Sequence, residues 1–437
     1  MYVSLRNSPA PVESPADEPV LVADASPTRR RKGRGRVPGV VLALGLTSLF
    51  TDISSEAVTA VLPLYLTAVL GLGPVAYGFV DGIYQGAASL VRVLGGWWSD
   101  RSGRPKLVAG LGYGVSALSR VLLLPVSGVA ALTGVVALDR LGKGLRTGPR
   151  DAMIAAASTP DQLGRNFGVH RALDTAGAMA GPLLAFGVLA MVPAGLAGYR
   201  AVFVLSIAAA VVGLAFLLLA VPGRVRRQAG ATDQPAPRWR WRDLADPRLR
   251  SLVLAAGLLG LLTVGDGFLY LVLADAGGIG LTWFPLLMVG TNAAYFALAV
   301  PIGQLADRVG RTRVLLGGHL VLVVAYAVAA TTGGHLVGVV AVLLLLGCFY
   351  AATDGVVSAL ASQAVGERSR ATGIASVQTA VGLSRFASSV CFGLLWQLTG
   401  RSVALLAVGL ALTLAVPVAA RLLRSVPTAP SPAGAAS

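Results

Sequence analysis

Long apolar runs follow one another along almost the whole chain, separated by short breaks that carry glycine, proline or charge. A helix rises 1.5 Å per residue, so about 20 consecutive apolar residues cross the ~30 Å hydrocarbon core of a bilayer. By that ruler the runs predict twelve helices, over 38–70, 75–98, 107–126, 130–157, 167–190, 200–221, 250–273, 281–305, 313–332, 336–362, 371–397 and 402–423. Several exceed the minimum length, which tilt, Pro63 and extensions beyond the bilayer accommodate. The long break at 222–249 holds Arg224, Arg226, Arg227, Arg238, Arg240, Arg242 and Arg248 with Pro235 and Pro237, and divides the helices six and six. The expected organisation is a disordered basic tail over 1–36, a six-helix bundle over 37–221, a linker over 222–249, a second six-helix bundle over 250–424 and a disordered tail over 425–437. No cleaved secretory signal is expected, because the first apolar run continues from Val37 to about Gly73.

Composition agrees with a membrane protein. Of 437 residues, 55% are hydrophobic and 13% charged, against about a quarter charged in ordinary soluble chains. A coiled coil and a largely disordered protein are excluded, and little room is left for a water-soluble catalytic domain. The net charge of +16 would suggest a nucleic-acid partner in a soluble chain. Here the basic residues sort by side. Counted along the ladder of helices, the loop and tail Lys and Arg fall on one side, with only Arg200 and Arg401 on the other. The positive-inside rule then places both termini and the linker in the cytoplasm, in a multi-pass protein of the cell membrane. Trp239 and Trp241 lie between linker arginines with no folded module around them, so anionic lipid, not nucleic acid, is the expected partner of these basic stretches. Cys348 and Cys391 are too few for a disulfide framework, and the histidines show no metal-ligand spacing, so no metal or cofactor is expected. A monomer is expected.

The two halves echo each other. Gly96-Trp-Trp-Ser-Asp100-Arg101-Ser-Gly103-Arg104 recurs as Gly303-Gln-Leu-Ala-Asp307-Arg308-Val-Gly310-Arg311, each after the second helix of its half. A weaker echo, Gly164-Arg165-Asn-Phe-Gly168 against Ser369-Arg370-Ala-Thr-Gly373, opens the fifth helix of each half. On these motifs the chain from about Val37 to Arg424 resembles the major facilitator superfamily of bacterial twelve-helix permeases. The resemblance implies an all-α membrane fold of twelve transmembrane helices in two pseudo-symmetric six-helix bundles, with alternating access to a central cavity. The segment Leu138 to Asp151 resembles a branch of bacterial permeases whose cargo is mostly unassigned. Gly177-Ala-Met-Ala-Gly181-Pro182 resembles the helix-five motif of proton-coupled antiporters, although Ala185 and Phe186 stand where further glycines are expected.

Ionisable residues inside a bilayer are costly, so their positions carry information. The first half holds Asp52, Glu56, Asp81, Asp139, Asp151 and Asp174 with Arg92, Arg120, Arg140, Lys143, Arg146, Arg150 and Arg171; the second holds only Asp266, Asp354 and Arg385. This asymmetry directs attention to the first bundle. Asp52 and Glu56 are one turn apart and share a face; as neighbouring carboxylates they are suited to take and release a proton, and salt bridges to Arg140 or Arg92 are the structural alternative. Proton-coupling candidates are therefore Asp52, Glu56, Asp81, Asp174 and Asp266. Arg140, Lys143, Arg146 and Arg150 fall on one helical face, where they either attract an anionic cargo or are neutralised by the nearby acids, with Asp139 able to reach Lys143 at i,i+4. Arg140 occupies the place of the superfamily's recurrent helix-four arginine. Candidates for the substrate cavity are Gln85, Arg92, Arg140, Lys143, Arg146, Arg171, Tyr270 and Arg385. Asp354 and Arg385 are expected to pair across the bundle, and His170 to be interfacial.

The repeated loops suit a conformational switch, built from Gly96, Asp100, Arg101, Gly103 and Arg104 and from Gly303, Asp307, Arg308, Gly310 and Arg311. Asp100 would meet the N-terminus of helix eleven near Arg370, and Asp307 that of helix five near Arg165, in one access state. Gly142-Lys-Gly-Leu-Arg lacks P-loop spacing, so ATP is not the expected energy source. These features favour a proton-coupled secondary transporter of a small organic molecule, anionic or amphiphilic, with efflux by antiport preferred. Proton-coupled import of an organic anion or siderophore is the alternative. A membrane-embedded enzyme is a remote third reading, since no accessible loop carries a catalytic constellation.

Overall fold

The computed structural model describes residues 37–126, 128–159, 162–192, 195–223, 246–364 and 370–424. The expected tails 1–36 and 425–437 and most of the linker lie outside the described residues. The helices are α1 (Gly39–Leu64), α2 (Pro74–Ser102), α3 (Pro105–Leu122), α4 (Val129–Ala156), α5 (Leu163–Met191), α6 (Leu196–Ala220), α7 (Pro247–Leu261), α8 (Asp266–Leu273), α9 (Pro285–Val309), α10 (Arg311–Thr331), α11 (Leu336–Ala364), α12 (Arg370–Thr399) and α13 (Arg401–Leu423). No strand occurs among the described residues. Counting α7 and α8 as one crossing, the twelve expected spans are present. Nine of them, among the described residues, are long and apolar enough on length and composition alone. The other three, α2, α3 and α4, are diluted by glycine, serine and charge, and cross as partners of their neighbours.

Glycine sets how closely the helices approach, since lipid offers no hydrophobic drive for helix association. A Cβ on Gly181 would stand 2.7 Å from the Ala57 backbone nitrogen and 2.8 Å from the Ile53 oxygen, so α5 rides directly on the backbone of α1. Gly142 does the same for α4 against α3, and Gly95 for α2 against α4. Gly82 brings α2 onto Phe386 of α12, which joins the two halves along one seam. Pro182 sits inside α5, which continues to Met191. One missing hydrogen bond does not end a helix whose two flanks are packed.

The seventh span departs from the expected continuous helix over 250–273. It breaks at Leu262–Gly265, and the exposed backbone groups are satisfied from neighbouring helices. Tyr326 Oη accepts from Val264 N at 2.7 Å and donates to Leu262 O at 3.2 Å, while Ser388 Oγ donates to Thr263 O at 3.0 Å. Irregular backbone at membrane depth requires this kind of internal satisfaction.

Each repeated motif turns at a glycine with positive φ. Gly103 closes α2 with φ of 61° and Gly310 closes α9 with φ of 100°, a region that glycine enters without steric cost. These turns define one end of the molecule, called here the motif face.

Candidate functional site

The charges of the first half mostly find one another. Asp139, on α4, sits between two guanidinium groups: Arg120 of α3 donates to Oδ1 at 2.7 Å, and Arg140 donates to Oδ2 through Nη2 at 2.6 Å and Nε at 3.0 Å. Arg120 also donates to Ser55 of α1 at 3.0 Å, and the Arg140 guanidinium lies 3.9 Å from the centroid of the Tyr84 ring on α2. Asp139 therefore pairs with Arg120 and Arg140, and not with Lys143 as its i,i+4 spacing suggested. A buried carboxylate is held best where two donors converge.

Lys143 instead approaches Glu56 at 3.9 Å, and the alternative salt bridges of that pair of acids to Arg140 or Arg92 are not formed. Arg146 turns toward α3, donating to Ser116 at 2.8 Å and lying over the Tyr113 ring at 4.7 Å. Arg150 meets Asp151 at 3.0 Å and Asp174 at 3.5 Å, and donates to Ser48 at 3.2 Å. Asp52 lies within the fields of Asp174, Lys143 and Glu56. His170 is not interfacial: it is buried and bonded through Nε2 to Ser48 at 3.0 Å. The four cations of α4 are thus divided among separate protein partners.

Two cavities lie where the halves meet. The one farther from the motif face has a volume of about 200 Å³ and is lined by Asp81, Gln85, Tyr77 and Tyr84 of α2, by Asp266 and Tyr270 of α8, by Tyr350 of α11 and by apolar groups of α1 and α9. Asp81 accepts from Ser389 of α12 at 2.5 Å, and Asp266 accepts from Tyr350 at 2.7 Å. Tyr270 donates to Thr291 at 2.9 Å. The break in the seventh span makes this arrangement possible: a Cβ on Gly265 would stand 2.5 Å from Asp81 Oδ2. Tyr77, which lines the cavity, packs edge to face on Phe268, and Phe268 on Phe392, with centroid separations of 4.7 and 4.9 Å.

The second cavity, about 560 Å³, opens toward the motif face and is lined among others by Arg92, Arg171, Gln378, Asp354 and Arg385. Gln85 borders both cavities, and a neck of Gln85, Val264, Gly265, Tyr350, Arg385 and Ser389 separates them with no space for water. Arg92 donates to the side-chain oxygen of Gln378 across the seam. Asp354 and Arg385 do not form the expected ion pair; Arg385 instead lies over the Tyr350 ring at 5.9 Å. Asp52, Glu56, Asp174, Lys143 and Arg146 line neither of these cavities.

Ser389, Gly265, Tyr77 and Tyr84 are among the site residues that sequence reasoning missed. A serine in a polar stretch of helix eleven carries no distinguishing signal, but Gly265-Asp266-Gly267 inside an apolar run marks a helix break. In the motif loops, Arg311 donates to Asp307 at 3.0 Å, Arg101 lies 5.7 Å from the Trp97 ring centroid, and Gly96 is approached by Gly148. Arg104 and Arg308 are exposed, Gly303 has open space around it, and the side chains of Asp100 and Arg370 lie outside the described residues.

Two halves of six membrane helices enclosing polar cavities at their seam define a membrane transporter. The chain belongs to the Major Facilitator Superfamily, whose profile matches residues 44–293 and 268–437. It is 29% identical over 369 residues to an uncharacterized MFS-type transporter of Methanocaldococcus jannaschii, covering 82% of this chain and 89% of that one. Among solved structures it is similar to the nucleoside transporter NupG, with a TM-score of 0.72 at 14% identity over 88% of this chain and 99% of that one. A bacterial homolog to the human lysosomal transporter Spinster, inward-facing and unoccupied, gives 0.69 at 15% over 90% and 98%. At these identities the likeness shows the fold. The protein is a secondary transporter with a small-molecule substrate, not an enzyme.

Proposed function

We propose that this transporter couples cargo movement to protons, and that Asp81 and Asp266 are the groups that carry them. The supporting observation is their placement: one carboxylate from each half, lining one cavity of about 200 Å³ beside a closed neck. A carboxylate pair in a weakly solvated cavity relieves its repulsion by holding a proton, and a change in how the halves meet alters the pair. Asp52, Glu56 and Asp174 belong to the internal network of the first half and serve as its framework in this reading. The motif face, carrying most of the loop arginines, is cytoplasmic by the positive-inside rule, so the larger cavity opens inward and the aromatic contacts of Tyr77, Phe268 and Phe392 close the outer side. Basic segments at this face meet anionic lipid, and both termini lie in the cytoplasm.

The helix-five motif that favours export by antiport places Gly177 and Gly181 in contact with α1. The second reading, co-transport of an organic anion with a proton, is favoured by the guanidinium groups of the inward cavity. The test is transport by the purified protein in proteoliposomes, using the best ligand from a thermal-shift screen. Asp81→Asn and Asp266→Asn should abolish accumulation driven by a pH gradient while retaining gradient-free exchange. Accumulation at wild-type levels in both variants would sink the assignment.

A further inference from the structure

The inward cavity carries three guanidinium groups against one carboxylate, Asp354. Arg171 is matched by Asp174 at 3.6 Å. Arg92 meets a neutral partner, the amide oxygen of Gln378. Arg385 differs from both: among the described residues no carboxylate comes within 4.0 Å of it, and its buried Nε has no hydrogen-bond partner. Its guanidinium lies 5.9 Å from the centroid of the Tyr350 ring. A half-buried guanidinium with an unused donor and no counter-charge is costly to maintain, and its planar fork matches a carboxylate or phosphate group.

We infer that Arg385 is the anchor for an oxyanion on the cargo, a carboxylate or phosphate group received in the inward cavity, with Arg92 and Gln378 flanking it. The inference rests on reading these cavities as the transport route. Its position at the neck gives the anchor a further consequence. The charged and titratable groups facing Arg385 are Asp81 on α2, Asp266 on α8, His319 and Tyr326 on α10, and Tyr350 and Asp354 on α11. An anion bound at Arg385 offsets the positive field that opposes a proton on Asp81 or Asp266. Anion and proton therefore assist each other's binding, and by linkage each strengthens the other by the same factor. Such coupling moves both in one direction.

The test uses the full chain in nanodiscs of zwitterionic phosphatidylcholine, titrated with benzoate, phenyl phosphate and succinate, and with benzamide and benzylamine as neutral and cationic controls. At least one anion should bind more tightly than both controls, with uptake of protons measured in weakly buffered solution. Arg385→Gln should weaken that binding on the order of 30-fold, about 2 kcal/mol. Arg385→Lys, which keeps the charge and loses the fork, should fall between, and guards against a Gln variant that fails to fold. Equal binding of benzamide or benzylamine, no binding of any of the three anions, or an unchanged affinity in both variants would overturn the anchor. Stabilisation by phosphatidylglycerol discs in place of the soluble anions would assign the site to a lipid headgroup and overturn the cargo reading. Anion binding without proton uptake supports the anchor and counts against Asp81 and Asp266 as the coupled acids. Loss of gradient-driven transport in the Asn variants with no anion selectivity does the reverse.

Discussion

Asp139→Asn tests whether the charges of the first half form its framework. The carboxylate accepts three charge-assisted hydrogen bonds, from Arg120 at 2.7 Å and from Arg140 at 2.6 and 3.0 Å, and all three side chains are no more than 5% exposed. Asparagine keeps one acceptor oxygen and presents an NH2 group to the other guanidinium, so a donor faces a donor. Two cations then share a dry site with no counter-charge. Breaking a buried pair in this way costs about 3–5 kcal/mol, because it leaves charge uncompensated and not merely because a bond is lost. Equilibrium unfolding of the purified protein in detergent, followed by tryptophan fluorescence, measures the loss. Arg120→Met supplies the second arm. In the Asp139→Asn background it removes one of the two uncompensated cations and should recover a large part of the deficit, giving a coupling energy of at least ~2 kcal/mol in a double-mutant cycle. Asp139→Asn within about 1 kcal/mol of wild type, or additive effects of the two substitutions, would refute the framework argument.

Gly265→Ala places a methyl group 2.5 Å from Asp81 Oδ2, at a backbone conformation that alanine tolerates; it should cost about 1–3 kcal/mol by overpacking and displace Asp81 from Ser389, read as a shifted pH profile of transport. Gly103→Ala should destabilise by roughly 1 kcal/mol, since φ there is 61°, and Gly103→Asn by less. Asp307→Asn breaks an exposed contact with Arg311, so stability should change by under about 0.5 kcal/mol; if the motif loops are the conformational switch, this variant and Asp100→Asn slow transport while cargo affinity stays nearly intact.

Twelve spans, their division into halves and the paired turns at Gly103 and Gly310 were legible because length and glycine placement act locally. What the sequence conceals is which charges are already matched. The large set of ionisable residues in the first half pointed toward that bundle as the working site, but Arg120, Asp139 and Arg140 show how a dense set of opposite charges satisfies itself. Spacing along α4 put Asp139 within reach of Lys143, whereas the partner that holds it, Arg120, comes from α3. A one-dimensional pattern ranks neighbours on the same helix and is silent on those across a helix contact. The break at Leu262–Gly265 escapes hydropathy, which averages over Gly265 and Gly267 and reads one continuous span, although the two glycines themselves mark it.

The second half is informative through its scarcity of charge. With Asp266, Asp354 and Arg385 as its span charges, it cannot neutralise each one internally. Asp266 is held by a tyrosine and Arg385 by a ring face, both uncharged partners. Groups held by neutral partners keep most of their electrostatic field available to whatever enters the cavity, whereas Asp139 has spent its own on two arginines. The same distinction separates Asp81, bonded to a serine of the opposite half, from Glu56, Asp139, Asp151 and Asp174, which each lie near a Lys or Arg; among the described residues Asp52 forms no ion pair and lies against Asp174 inside the first bundle. Asp81, Asp266 and Arg385, each held by a neutral partner, all line the seam. A seam is also where alternating access changes the contacts, so a field left unspent there can report the arrival of a proton or an anion to both halves at once.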